Sequence, residues 1–249
     1  MPLQPCWEKL RRDIAWNDWE DFGTVELVER YRQFWRPERV RVVLLAESHV
    51  FTTSEETGSL ILPHHQLPGP DRFVRFVYCL GYGERDLLNA ELANNSGTPQ
   101  YWKLFSTTVR PPADSEHMAP NKANFPELAV RLRKKVELLE EMKRCGIWLI
   151  DASTVGIYRP GGTRPPANVT REVLRICWEA WVRQQVEQCR PDRVIVIGRT
   201  VLDHLRTQLT DLRNQLGFDV HWIHQPQAHL TAATREAEYQ ILHQWCQIP

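Results

Sequence analysis

The chain has 249 residues, 42% of them hydrophobic and 25% charged, and its 31 lysines and arginines are balanced by 31 aspartates and glutamates. That length is enough to bury a full core in one layered domain. The zero net charge excludes attraction to nucleic acid or an anionic membrane by the summed field alone, so any DNA contact has to be local.

Residues 1–38 alternate tryptophans with charges and predict one or two amphipathic helices, with Trp7, Trp16, Trp19 and Trp35 packing as core aromatics rather than forming a binding surface. The start lacks the apolar stretch of a secretory signal, and no run approaches the roughly 20 apolar residues of a membrane span. The expectation is a cytoplasmic protein that does not enter a membrane. Residues 40–46 form the first of three uninterrupted, β-branched runs of the kind buried on both faces of a parallel sheet. Residues 53–125, punctuated by Pro63, Pro68, Pro70, Pro111, Pro112 and Pro120, predict an irregular insertion with one helix near residues 72–80.

Leu128, Leu132, Val136, Leu139 and Met142 then recur at helical spacing, and Gly146 stands where that helix ends. The second strand, 146–150, follows at once. The segment 159–166, Arg-Pro-Gly-Gly-Thr-Arg-Pro-Pro, is a loop, after which Asn168 or Thr170 caps a helix running to about Cys189. Arg190-Pro191 stops it, the third strand covers 192–197, Leu202, Leu205 and Leu209 mark another helix, and a more mixed fourth strand covers 218–223. Strands alternating with helices predict an α/β fold, a three-layer α/β/α sandwich around a mostly parallel four-stranded sheet with right-handed crossovers.

Open parallel sheets bind ligands beyond the carboxyl ends of their strands. Those positions are polar here: Glu47-Ser48-His49 after the first strand, Asp151-Ala152-Ser153-Thr154 after the second, Gly198-Arg199-Thr200 after the third, and His224-Gln225-Pro226-Gln227-Ala228-His229 after the fourth. Other chemistries find less support. Ser48 and His49 are adjacent and lack a nucleophile elbow, no Gly-rich phosphate loop follows a strand, and His64-His65 among prolines reads as surface loop rather than metal site. The six cysteines, at 6, 79, 145, 177, 189 and 246, include no Cys-x-x-Cys pair and read mostly as buried thiols, so neither zinc nor an iron–sulfur cluster is signalled and no cofactor is expected.

Together, the acidic loop at residues 46–50, the Arg159–Arg164 loop, the segment Arg-Pro-Asp-Arg-Val-Ile-Val-Ile-Gly-Arg-Thr-Val at 190–201 and the His-x-Pro at 224–226 resemble the uracil-DNA glycosylase superfamily, closest to its family 4. The resemblance covers a little under half of the chain. It implies a fold of this type and hydrolysis of the N-glycosidic bond of a flipped damaged base, with DNA as partner. Ala46-Glu47-Ser48-His49-Val50 falls where that subgroup has Gly-Glu-Ala-Pro-Gly, so Glu47 takes the place of the residue that holds the hydrolytic water, with Ser48 and His49 beside the substrate. His224 falls where the superfamily's histidine donates to the leaving base. Gln227 and His229 fall where the family contacts DNA, and Arg159, Arg164 and Arg199 are candidates for phosphate contacts. Phe51 and Phe73 are candidates for the stacking face that a flipped base needs.

Bland readings stand beside these: Glu47 or Asp151 capping a turn, His224 as a satisfied strand-end residue. Asp151 takes the place of the family's Asn, which offers both a donor and an acceptor, whereas an ionised carboxylate only accepts. Either Asp151 is protonated, or the preferred base carries more donors than uracil, or no base binds. The leading expectation is a glycosylase-like hydrolase using Glu47 and His224. A glycosylase-like binding module that has lost catalysis, or an enzyme of small nucleosides, is the alternative.

Overall fold

Aliphatic runs with no polar interruption are stable only where both faces are covered, and the three such runs, with the mixed fourth, make up one sheet. In the computed structural model, which describes residues 3–63, 66–159 and 164–247, they are strands β1 (Val42–Ala46), β2 (Ile147–Asp151), β3 (Arg193–Ile197) and β4 (Asp219–Ile223). The sheet is parallel throughout, in the order β2-β1-β3-β4. β1 and β2 are buried along their whole length, and β4, the mixed run, is partly exposed. Each aliphatic side chain taken fully out of water in these strands contributes roughly 1.5–3 kcal/mol.

Helices cover both faces. α1 (Leu3–Asp13) packs with α7 (Ala167–Cys177), which packs in turn on α9 (Arg199–Leu216). On the other side α4 (Pro99–Val109) packs between α6 (Leu128–Arg144) and α10 (Ala232–Cys246). α2 (Phe22–Phe34) contacts α1 and the short α3 (Ser54–Thr57). The architecture is the expected three-layer α/β/α sandwich. Trp35 is buried, and Trp7, Trp16 and Trp19 pack against the core, as the amphipathic reading required. No helix among the described residues is long and apolar enough to cross a membrane.

Three local expectations are corrected. Residues 72–80 form turns, not a helix. Phe73, Val74, Phe76, Val77, Tyr78, Cys79 and Leu80 are all buried, as is Arg75, so residues 73–80 have no solvent face for an amphipathic helix to present. Its backbone bonds to other parts of the chain instead: Phe73 N–H to Ser59 O, Arg75 N–H to Thr52 Oγ1, and Val50 N–H to Arg75 O. Second, residues 53–125 are less irregular than their prolines suggest, for they contain α3, α4 and α5 (Pro112–Met118). Pro99 and Pro112 sit at helix starts, where a missing N–H costs nothing. Third, Pro166 rather than Asn168 or Thr170 flanks the start of α7. That helix widens into a π turn at Trp178–Val182 before continuing as α8 (Arg183–Cys189), which ends on a left-handed Arg190. His64 and His65 lie outside the described residues.

The loop after β2 meets the loop after β1 through a close backbone approach. Phe51 N–H donates to Tyr158 O at 2.7 Å, and a Cβ on Gly156 would lie 2.5 Å from Phe51 Cα. Gly156→Ala should therefore cost about 1–3 kcal/mol by overpacking. Urea denaturation checks this, and an unchanged midpoint would show that the two loops can part without penalty.

Candidate functional site

β1 and β2 are neighbours in register, Ala46 opposite Asp151, so the residues that follow them emerge side by side at the same end of the sheet. They open into a cavity of about 300 Å3, at the small end of the roughly 300–1,000 Å3 range of ligand sites. Glu47, Ser48, His49 and Asp151 line it, joined by Gln225 and Gln227 from the loop after β4. Its aromatic walls are Phe76, Tyr82, Tyr101 and Tyr158.

Glu47 is 2% exposed. Arg164 donates to its Oε1 and Tyr158 to its Oε2, where Gln225 Nε2 also donates at 3.0 Å. Burial, followed by the Glu47 charge, pushes the Tyr158 phenol up, so it remains a donor across the ordinary pH range. Gln225 reaches this position because residue 198 is glycine: with φ at 106°, Gly198 presents no Cβ, which would stand 2.9 Å from Gln225 Cγ. Ser48 Oγ accepts from Ile157 N–H at 3.1 Å and so ties the first loop to the second.

Behind the cavity runs a chain of buried charges. Glu20 accepts from Thr52 N–H at 2.7 Å, Gly156 N–H at 2.6 Å and His49 Nε2 at 2.8 Å. His49 Nδ1 lies 3.6 Å from Asp151 Oδ2, too far for a hydrogen bond, and Arg32 Nη2 donates to the same oxygen at 2.9 Å. Arg32 also pairs with Glu29. Burial alone would lower the His49 pKa, but the carboxylates of Glu20 and Asp151 outweigh it and hold the imidazole at about 9. His49 is therefore a cation at neutral pH, standing between Glu20 and Asp151, as Arg32 stands between Asp151 and Glu29.

The remaining sequence candidates are placed as follows. His224 does not line the cavity; its Nδ1 pairs with Glu238 of α10 and its ring packs on Trp222 at 4.8 Å. Phe51 lies beneath the Arg159 guanidinium at 4.0 Å, and Phe73 is fully buried in the core. Neither lines the cavity; Phe76, three residues beyond Phe73 and not singled out in the sequence, does. Arg159 pairs with Asp18, and Arg199 pairs with Asp203 at 2.9 Å. With Arg164 on Glu47, each of the three arginines already faces a carboxylate. Gln227 and His229 are exposed, and Arg235 fixes their loop by donating to Gln225 O and Ala228 O. Residues 160–163, within the loop quoted for the resemblance, lie outside the described residues. Glu20, Arg32, Tyr101, Tyr158 and Gln225 were not singled out in the sequence. Compared with known proteins, the chain matches no family model and no curated sequence.

The His49 charge makes stability depend on pH. A histidine whose pKa is raised from 6.5 to about 9 on folding stabilises fully below 6.5 and loses that stabilisation as pH rises toward 9. Unfolding free energy should fall by up to about 1.4 kcal/mol per pH unit in this window, and the fall should shrink in His49→Gln. If that variant does not fold, imidazole 15N shifts of the unchanged chain serve instead, and a neutral His49 ring at pH 7.5 would refute the assignment.

Proposed function

We propose that the chain is a glycosylase-like hydrolase that takes a flipped nucleobase into this cavity and cleaves its N-glycosidic bond. The observation that carries the reading is that Glu47 and Asp151, issuing from adjacent strand ends, meet in one aromatic-walled cavity of base size. A base swung out of its stack needs flat apolar faces, and Phe76 and Tyr101 can supply them. Glu47, with Arg164 on one oxygen and Tyr158 and Gln225 on the other, serves chiefly as a fixed negative charge facing the oxocarbenium-like sugar. It takes the proton of an attacking water when one of those donors yields its place. Gln227, which lines the cavity where His224 does not, can donate its amide to charge developing on the departing base. At the mouth, Gln227 and His229 are available to position phosphates.

Incubation with labelled oligonucleotides carrying uracil, hypoxanthine, xanthine or a normal base, followed by alkaline cleavage, tests this directly. One of these bases should be released, Glu47→Gln should slow release by about 100-fold or more, and His224→Ala should leave the rate unchanged. Release that survives Glu47→Gln would remove the assigned chemistry.

The pairing of His224 with Glu238 outside the cavity, and the full set of donors on Glu47, favour a second reading: a glycosylase-like module that binds without catalysis. In that case no base is released, while DNA binding in a gel-shift titration weakens with salt at a slope of about −0.9 per phosphate contacted. Neither release nor salt-dependent binding would eliminate both readings.

A further inference from the structure

Asp151 presents a carboxylate where a uracil edge would need a donor for its O4 as well as an acceptor for its N3–H. Asp151 is 5% exposed and lines the cavity. Its Oδ2 is committed to Arg32 at 2.9 Å and faces His49 at 3.6 Å, whereas its Oδ1 has no hydrogen-bond partner among the described residues. With Arg32 donating to Oδ2, the carboxylate turns acceptor lone pairs toward the cavity. Arg32 does not line the cavity, and His49, which does, turns its Nε2 to Glu20 and its Nδ1 toward Asp151 Oδ2.

We infer that this cavity selects a base that turns contiguous N–H donors onto Asp151, as the ring N1–H and 2-amino group of a guanine-type purine do, and disfavours bases that place a carbonyl there. The inference rests on the base-pocket reading above. A carbonyl oxygen directed at this floor meets a carboxylate and gains no hydrogen bond, while adjacent N–H groups find the open lone pairs of Oδ1. Phe76, which flanks the cavity, and Thr98, whose buried Oγ1 has no hydrogen-bond partner among the described residues, are further points of contact for a purine-sized ring.

Asp151→Asn isolates this role and is compatible with folding, because Glu20–His49 and Arg32–Glu29 each remain paired once the Asp151 charge is removed. The full chain is titrated calorimetrically with guanosine, inosine, adenosine and uridine, and with short single-stranded oligonucleotides carrying each of those bases once. Guanosine should bind about tenfold more tightly than inosine, which differs only by the 2-amino group, and more tightly again than uridine. In Asp151→Asn, with its melting temperature checked against the unchanged chain, that preference should collapse and uridine should gain. Inosine or uridine binding the unchanged chain as tightly as guanosine overturns this inference and leaves the base pocket standing. An unaltered order of preference in a folded Asp151→Asn overturns it as well. Failure of every nucleoside and every oligonucleotide to bind overturns the base pocket itself.

Discussion

The buried chain Glu20–His49–Asp151–Arg32–Glu29 is the constraint on which the site depends, because charges removed from water are tolerable only when each faces its opposite. Removing one partner of such an arrangement typically costs 3–5 kcal/mol. Here the chain does more than balance itself. Glu20 precedes α2, Arg32 and Glu29 lie within α2, His49 follows β1 and Asp151 ends β2, so one electrostatic unit ties the N-terminal helices to two strand ends. Glu20 adds two backbone bonds, to Thr52 and Gly156, that draw the two loops together. The cavity floor is thus held from behind, through Glu20 and Arg32, by elements distant in the chain.

That arrangement separates two kinds of legibility. The strands, their order of appearance and the polar character of their carboxyl ends could be read from runs such as residues 40–46 and 192–197, since local hydrophobicity decides whether a strand can be buried. The rule that ligands sit beyond carboxyl ends then sufficed to bring Glu47, Ser48, His49 and Asp151 to one place. Their partners were not readable. Arg32 is 119 residues from Asp151, and nothing about an arginine in an amphipathic helix shows that it turns inward toward a carboxylate. Tyr158 and Gln225 reach Glu47 from 111 and 178 residues away.

The fourth loop shows the limit at its finest scale. His224 and Gln225 are adjacent, yet one turns toward α10 and the other into the cavity. Beyond the end of a strand the strict two-residue alternation lapses, and the direction of a side chain is set by what the loop meets, here Glu238 on one side and the bare backbone of Gly198 on the other. Residues 72–80 fail for a related reason. Their apolar spacing resembles a helix face, but the segment is enclosed on every side, and enclosure is a property of the neighbours rather than of the segment.

The sheet also treats its two borders differently. On the outer side of β2, Tyr78 Oη accepts the Leu149 N–H at 2.9 Å, and the tyrosine ring packs against Phe76 and Phe105. β4, the opposite border, is partly exposed and carries His221 stacked on Trp245 of α10 at 4.9 Å. A border strand with unpaired amides is a template on which another chain can add. The phenol thus occupies the central outward amide of β2 and interrupts the row a further strand would need, while at the β4 border an aromatic stack flanks the exposed strand.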